Sequence, residues 1–430
     1  LNSYRLLTKI VLIGSLALAM NVGAQVSCPK SILFSQALSL HGVESFGMQT
    51  RGGSDGKLLK VTNLKASGEG SLKWALQHKG ARLVVFEVGG VIDLGGETVW
   101  ITEPYLTVAG ETAPSPGVTL IRGGLSVRAH DVKISHVRIR PGDNNEPKRS
   151  GWETDGIAVS GESATRVHID HVSVSWAIDE NLSASGPRQK GPGKSASNVT
   201  FSNSIIAEAL DYATHKKGRH SKGLLVHDYV TQVAVIGNLF ISNDRRNPYF
   251  KSHATGVVVN NLIYNAANRA IHLDYIPDEW VDTAFKPGNA SIAAVSNILR
   301  YGRDTYSDLA VVSGKGNVFM CDNQTINLVG DPMPQSTSAI SPLSQPPLWA
   351  KNLSPMKSKK LEAWLLKNVG ARPWDRDAID LRILKSYTER TSRMIDSQEE
   401  VGGYPKYPQT RRELNVPDEN IDAWLESFRR

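Results

Sequence analysis

The sequence predicts an all-β fold, a single parallel β-helix. Three observations carry this: a weak internal repeat, a composition rich in turn formers and poor in aromatics, and helical patterning confined to the two flanks. The repeat comprises VKISHVRI ending at Ile139, VHIDHVSV at Val174, VTFSNSII at Ile206, AVIGNLFI at Ile241, VVVNNLIY at Tyr264 and AAVSNILR at Arg300. In each, a His or Asn separates two apolar stretches: His136, His171, Asn203, Asn238, Asn261 and Asn297. Apolar residues recur four and two positions before this marker and usually one and three after it. That pattern describes two strands of period two joined by a bend.

The markers lie 23 to 36 residues apart. The shortest interval suits one coil, and the longer ones suit a coil carrying an inserted loop. Asn tolerates left-handed backbone at such a bend and can hydrogen-bond to the Asn of the next coil. Inward aliphatics would then stack into one continuous core. A β-sandwich would instead show hairpin turns every ~8–12 residues, and this chain does not. With 40% hydrophobic residues, 37 Gly and two Cys in 430, disordered, collagenous and disulfide-scaffold classes are excluded.

The flanks differ in kind. Residues 1–24 resemble a signal peptide: Arg5 and Lys9 precede an apolar run from Ile10 to Met20, followed by Val22-Gly23-Ala24. Export, to the periplasm or outside the cell, is the expectation. GSLKWALQHK, from Gly70 to Lys79, predicts a short helix capping the open end of the core. From 346 to 430 the pattern turns helical and polar, which predicts an extension wrapped on a solenoid of residues 25–345. Cys28 and Cys321 permit one bridge in an oxidising compartment, and their spacing leaves open whether they meet.

The formal charge of +7 points to a polyanionic partner. Gly191–Ser195 (GPGKS) lacks the upstream Gly of a phosphate-binding loop, and no nucleic-acid motif is present. Neither a nucleic-acid nor a membrane partner is expected, and the chain is read as a monomer. Eight residues past successive markers stand Asn144, Asp179, Asp211, Arg246 and Arg269, with Asp155 one coil before Asp179. Equal offsets on a solenoid stack along one face. Asp155, Asp179 and Glu180 therefore predict an oxygen-rich site for Ca²⁺ beside the basic runs His215–Lys222 and Asn243–Lys251. A cation flanked by Arg and Lys suits β-elimination at a uronate. It neutralises the carboxylate and stabilises the charge that develops when the weakly acidic C5 proton leaves.

Several motifs resemble the pectate lyases of the first polysaccharide lyase family, including its bacterial members. They are IDHVSVSWAIDENLS (Ile169–Ser183), HKKGRHSKG (His215–Gly223), RRNPYFK (Arg245–Lys251), VTNLKASGEGSLKWAL, VVFEVGGVIDL, LTVAGETAPSPGVTLIRG and VGARPWDRDAID. The resemblance runs roughly from Phe46 to Tyr404 and implies a right-handed helix and Ca²⁺-dependent cleavage of polygalacturonate. It assigns calcium to Asp155 and Asp179; Ser183 replaces the usual third carboxylate, so either Glu180 substitutes as a ligand or calcium arrives mainly with the substrate. Arg246 matches the arginine proposed as base. The catalytic-region lysine falls on Lys217, with Lys222 as the alternative. Lys251 and Arg245, with His215 and His220, are the substrate-binding candidates. Tyr249 stands where an Arg is common. Two other readings are a β-helix hydrolase using Asp179, Glu180 and Asp211, and a non-catalytic polysaccharide-binding or adhesin module. A lyase for another uronate polymer is a third.

Overall fold

A computed structural model describes residues 27–429. The segment 1–24 expected to target the chain for export lies outside them. Among the described residues, three sheets of eleven, eight and ten strands run the length of the molecule. Every strand pair but one is parallel, and each strand pairs with its counterparts one coil before and after. The chain visits the eleven-stranded, ten-stranded and eight-stranded sheets in turn. The result is a right-handed parallel β-helix, the hand that parallel crossovers take. The exception is Thr410–Arg411, which adds antiparallel to Val88–Asp93.

The interior is aliphatic, as the repeat predicts, but the Asn marker shifts by one residue against the strands partway along. His136, His171 and Asn203 adopt positive φ at the bend, and the rung after them is Gly237 rather than Asn238. Asn260 and Ser296 continue the line, also at positive φ. From that coil onward the marker sits one residue late, and a one-residue slip exchanges the two faces of a strand. Val233, Val235 and Phe240 therefore fill the interior, while Ala234, Ile236, Leu239 and Ile241 face outward. Periodicity concealed the slip because those outward positions are also apolar and also buried.

Two flanking segments bury them. Ile32, Leu38 and Phe46 cover the outside of the eleven-stranded sheet. Helices Ser358–Asn368 and Ala378–Thr388 lay Leu361, Leu365, Ile379 and Ile383 over Ile205, Leu239 and Leu262 of the ten-stranded sheet. A buried ion cluster locks this tail down: Arg140 donates to Asp377 at 2.5 Å and Asp380 at 2.8 Å, with Arg138 beside them. Cys28 and Cys321 do meet, in a disulfide linking residues 293 apart in sequence. At the other end, helix Leu72–Leu76 seals the core with Leu72, Ala75 and Leu76; Ser71 caps it by accepting the Trp74 N–H. No helix of the described residues is long and apolar enough to cross a membrane.

The late markers form a continuous amide ladder. Asn238 donates to Asn261 at 3.0 Å, Asn261 to Asn297 at 2.9 Å, and Asn297 to Asn323 at 3.0 Å. Asn261 is fully buried; its amide also receives the Asn238 N–H and donates to the Val235 and Val259 carbonyls. Asn261→Ala would orphan these groups and is expected to cost roughly 2–4 kcal/mol. Asn289→Ala, at a partly exposed position, should cost far less. Denaturant midpoints of the two variants check this; equal midpoints would count against the ladder as a stabilising element.

Candidate functional site

Each coil turns a corner on leaving the ten-stranded sheet and entering the eight-stranded one. The chemistry-bearing residues collect at that corner. Asp155 precedes the strand Ile157–Ser160, and Asp179 immediately precedes Glu180–Ser185. Lys222 opens the strand Lys222–Val226, and Arg245 and Arg246 precede Tyr249–Phe250. In register, Glu180, Lys222 and Arg245 lie side by side. Successive coils are ~4.8 Å apart, so side chains on neighbouring coils touch.

The equal-offset alignment therefore holds only in part. Arg246 and Arg269 are level, through the pairing of Tyr249 with His272. Arg246 stands two residues beyond the level of Asp179, yet its guanidinium reaches back to form an ion pair with Glu180. Asp211 leaves the line, because residues 208–221 form a loop inserted between Ile205–Ala207 and Lys222–Val226. There it pairs with Arg219. Asn144 leaves it too, in a loop where its N–H donates to the Tyr404 hydroxyl at 3.1 Å.

The acids are crowded. Asp155 accepts the Ser183 hydroxyl at 2.7 Å and the Glu180 N–H at 3.1 Å. Burial and the charge of Asp179 still push its carboxyl up to about 7. Burial works in the same sense on Asp179, but the His220 hydrogen bond at 2.7 Å and the Arg246 charge outweigh it and hold that carboxyl below its usual range. Asp155, Asp179 and Glu180 offer oxygens within 4.8 Å of one another. That is the donor set a hard cation takes, and a dication would relieve the repulsion Asp155 experiences.

The bases are distributed unevenly. Burial pulls Arg246 below the ordinary guanidinium value, against the opposing charges of Asp179 and Asp155. Its φ of 64° is a left-handed conformation that few non-glycine residues adopt. Tyr249 lies beneath it, with the guanidinium 5.8 Å from the ring. Lys222 is buried, 3.4 Å from Asp244, and burial lowers its ammonium. Lys217 is exposed on the inserted loop, where only its backbone N–H reaches a site residue, His215. Arg245 is half exposed and bound to Asp244 at 2.7 Å. Lys251 lies apart, buried with Glu279 and Asp228. His215 and His220 stack face to face against Asp179, with centroids 3.7 Å apart. Burial, then the neighbouring His220, lowers the His215 imidazole.

A supporting layer escaped the sequence reading. Asn181, Asn243 and Asn247 form a second buried amide chain beneath the corner, Asn181 to Asn243 at 3.2 Å and Asn243 to Asn247 at 3.1 Å. Asn243 also holds the Ala209 N–H and the Ile206 carbonyl, and Asn247 the Arg269 carbonyl. Asn181 is the second residue of Glu180–Ser185 and Asn243 and Asn247 both precede Tyr249–Phe250, so no repeat in the sequence marked this chain.

No family model matches the sequence. Over 242 residues, 56% of this chain, it is 39% identical to the probable pectate lyases C of Aspergillus flavus and Aspergillus oryzae, covering 51% of each. Pectate lyase 5 of Ambrosia artemisiifolia is 27% identical over 235 residues. The chain thus spans about half the length of the curated relatives it matches, and those named here are fungal and plant proteins. Among solved structures, the major allergen from cedar pollen superposes with a TM-score of 0.54 over 76% of this chain and 92% of the other, at 16% identity. A pectate lyase bound to hexasaccharide superposes with a TM-score of 0.52 over 78% and 98%, at 12% identity. At these identities the likeness is one of fold.

The raised Asp155 carboxyl gives a pH signature. The folded protein holds this proton up to about pH 7, whereas the unfolded chain releases it near the ordinary value of ~4. Between these values the folded state binds more protons, so stability falls as pH rises. In chelator, Asp155→Asn should gain stability over the parent as pH goes from 5 to 8. A gap that is flat or narrows over that range would contradict the shift.

Proposed function

We propose that this chain is a secreted polysaccharide lyase that cleaves polygalacturonate by calcium-assisted β-elimination. The observation that carries the reading is the meeting of Asp155 and Asp179 with Arg246 and Lys222 on consecutive coils. The fungal relatives named pectate lyase support it. Residues 25–345 are read as the catalytic solenoid and 346–430 as an extension packed upon it.

Asp155 and Asp179, with Glu180 beside them, are the residues that would hold calcium, which when bound supplies a divalent charge for the uronate carboxylate. Lys222 and Arg245 add fixed positive charge in the same register row. Arg246, lowered by burial, takes the C5 proton in its neutral form; the electron pair left at C5 forms the C4–C5 double bond, and the C4–oxygen bond breaks. The electron pair of that bond leaves on the oxygen, which takes a proton from solvent as Arg246 releases its own. No water is consumed. Lys222 is preferred over Lys217 as the catalytic-region lysine, since it is buried in the row whereas Lys217 points from an exposed loop. Lys251, already neutralised by Glu279 and Asp228, is the weakest of the substrate-binding candidates.

One observation favours a hydrolase as the second reading. Asp155 and Asp179 have carboxyls pushed in opposite directions, the arrangement of an acid–base pair. Asp211, however, is engaged by Arg219, and Glu180 by Arg246. The products decide: elimination leaves an unsaturated end that absorbs in the ultraviolet, and hydrolysis leaves none. Polygalacturonate should yield unsaturated oligosaccharides with Ca²⁺ and none after exhaustive chelation; a chelator-insensitive rate removes calcium from the reaction.

Arg246→Lys retains charge and loses the planar fork. Its turnover should fall by about 10²–10⁴-fold while polygalacturonate still binds. Arg245→Lys should lose much less, and an equal loss in both variants would reject Arg246 as base. Lys222→Ala should likewise lose most of its turnover, and Lys217→Ala little. The reverse order would return the role to Lys217.

A further inference from the structure

The corner holds a second set of donors, of which the lyase mechanism uses only Asp179. Asp179, His215 and His220 each offer one ligand atom, all within 4.8 Å of one another. The His220 Nε2 is 2.7 Å and the His215 Nε2 4.0 Å from the same Asp179 oxygen. Both imidazoles are buried, and their rings lie 15° from parallel, so both Nε2 atoms face the carboxylate together. Two nitrogens and one oxygen do not suit calcium, which takes oxygen ligands. They suit borderline ions such as Zn²⁺ or Co²⁺.

The surroundings fit as well. The His215 Nδ1 lies 3.4 Å from the Glu153 carboxylate and 3.0 Å from the Lys217 N–H. The Lys217 N–H donates to Nδ1, which fixes the orientation of the ring with Nε2 toward Asp179. The loop carrying both histidines is held from outside, because the Thr214 hydroxyl donates to the Trp152 carbonyl at 2.6 Å and the Tyr212 N–H to Asp396 at 3.1 Å.

We propose that Asp179, His215 and His220 bind a borderline divalent transition-metal ion. Asp179 belongs both to this set and to the all-oxygen set with Asp155 and Glu180. Binding on the nitrogen side therefore withdraws an oxygen donor from the other, and the two kinds of ion compete for one carboxylate. The binding itself is independent of the lyase reading; only the competition with calcium rests on it.

Cobalt tests the binding without any assay of activity. The full chain, stripped with chelator and titrated with Co²⁺ alone, should develop the intense visible bands of a four- or five-coordinate ion, and Zn²⁺ should abolish them. His215→Ala and His220→Ala should each weaken Co²⁺ binding by about 100-fold or more. His41→Ala, an exposed position, should leave it unchanged. Asp179→Asn keeps the size of the side chain while removing the carboxylate, and its weaker Co²⁺ binding keeps the test decisive if a histidine variant fails to fold. Only the pale spectrum of hydrated Co²⁺, or variants that bind like the parent, would overturn the proposal. In the calcium arm, Zn²⁺ should raise the Ca²⁺ concentration needed for half-maximal binding in the parent but not in His220→Ala.

Discussion

Everything functional in this molecule depends on the coil-to-coil pairing of its main chain. Parallel pairing fixes which residue of one coil lies beside which residue of the next, and it does so along all three sheets together. Residues as distant in sequence as Asp155 and Arg246 thereby come to share one corner without any dedicated contact to bring them there. The amide ladders reinforce the same constraint at two bends. Being fully buried, these amides must be satisfied by their counterparts one coil away, so a shift of register would orphan a whole column.

At the corner, repulsion and attraction are balanced differently from residue to residue. Asp155 and Asp179 are neighbours in similar surroundings, yet one carboxyl is raised and the other lowered. The difference lies in their partners: neutral Ser183 and a backbone N–H for Asp155, His220 and Arg246 for Asp179. On the basic side, burial lowers both Arg246 and Lys222, and nearby carboxylates restore only part of the loss. A basic group thus sits beside fixed acids while its own proton is loosened.

Much of this was legible in the sequence, for identifiable reasons. Solenoid strands repeat a period of two at a fixed bend, so the fold showed in the repeat, and Leu72, Ala75 and Leu76 betrayed the capping helix. The face of each strand was not legible after Asn203. Ala234, Leu239 and Ile241 are as apolar as the interior residues, because a tail far away in sequence covers them. The partnership of Asp179 with Arg246 came from offsets and motifs together, and the offsets alone would have misplaced Asp211. Whether Lys217 or Lys222 turned inward depended on where the inserted loop ended and the strand resumed, which no local pattern marks. The disulfide and the Arg140–Asp377 lock join residues hundreds of positions apart, beyond the reach of periodicity.

The inserted loop of residues 208–221 leaves the register that governs its neighbours after Leu210, whose N–H still meets the Ala177 carbonyl, and rejoins it at Ser221. Its base is fixed by the strands on either side, and its body is pinned by Arg382 on Glu208 and by the Ile395 carbonyl on the Asp211 N–H. Inside those pins its length and composition can change without moving a single rung. The coil before and the coil after stay where their own pairing puts them. The molecule therefore separates shape from local chemistry: the side chains on this segment can differ while the rungs on either side stay in place.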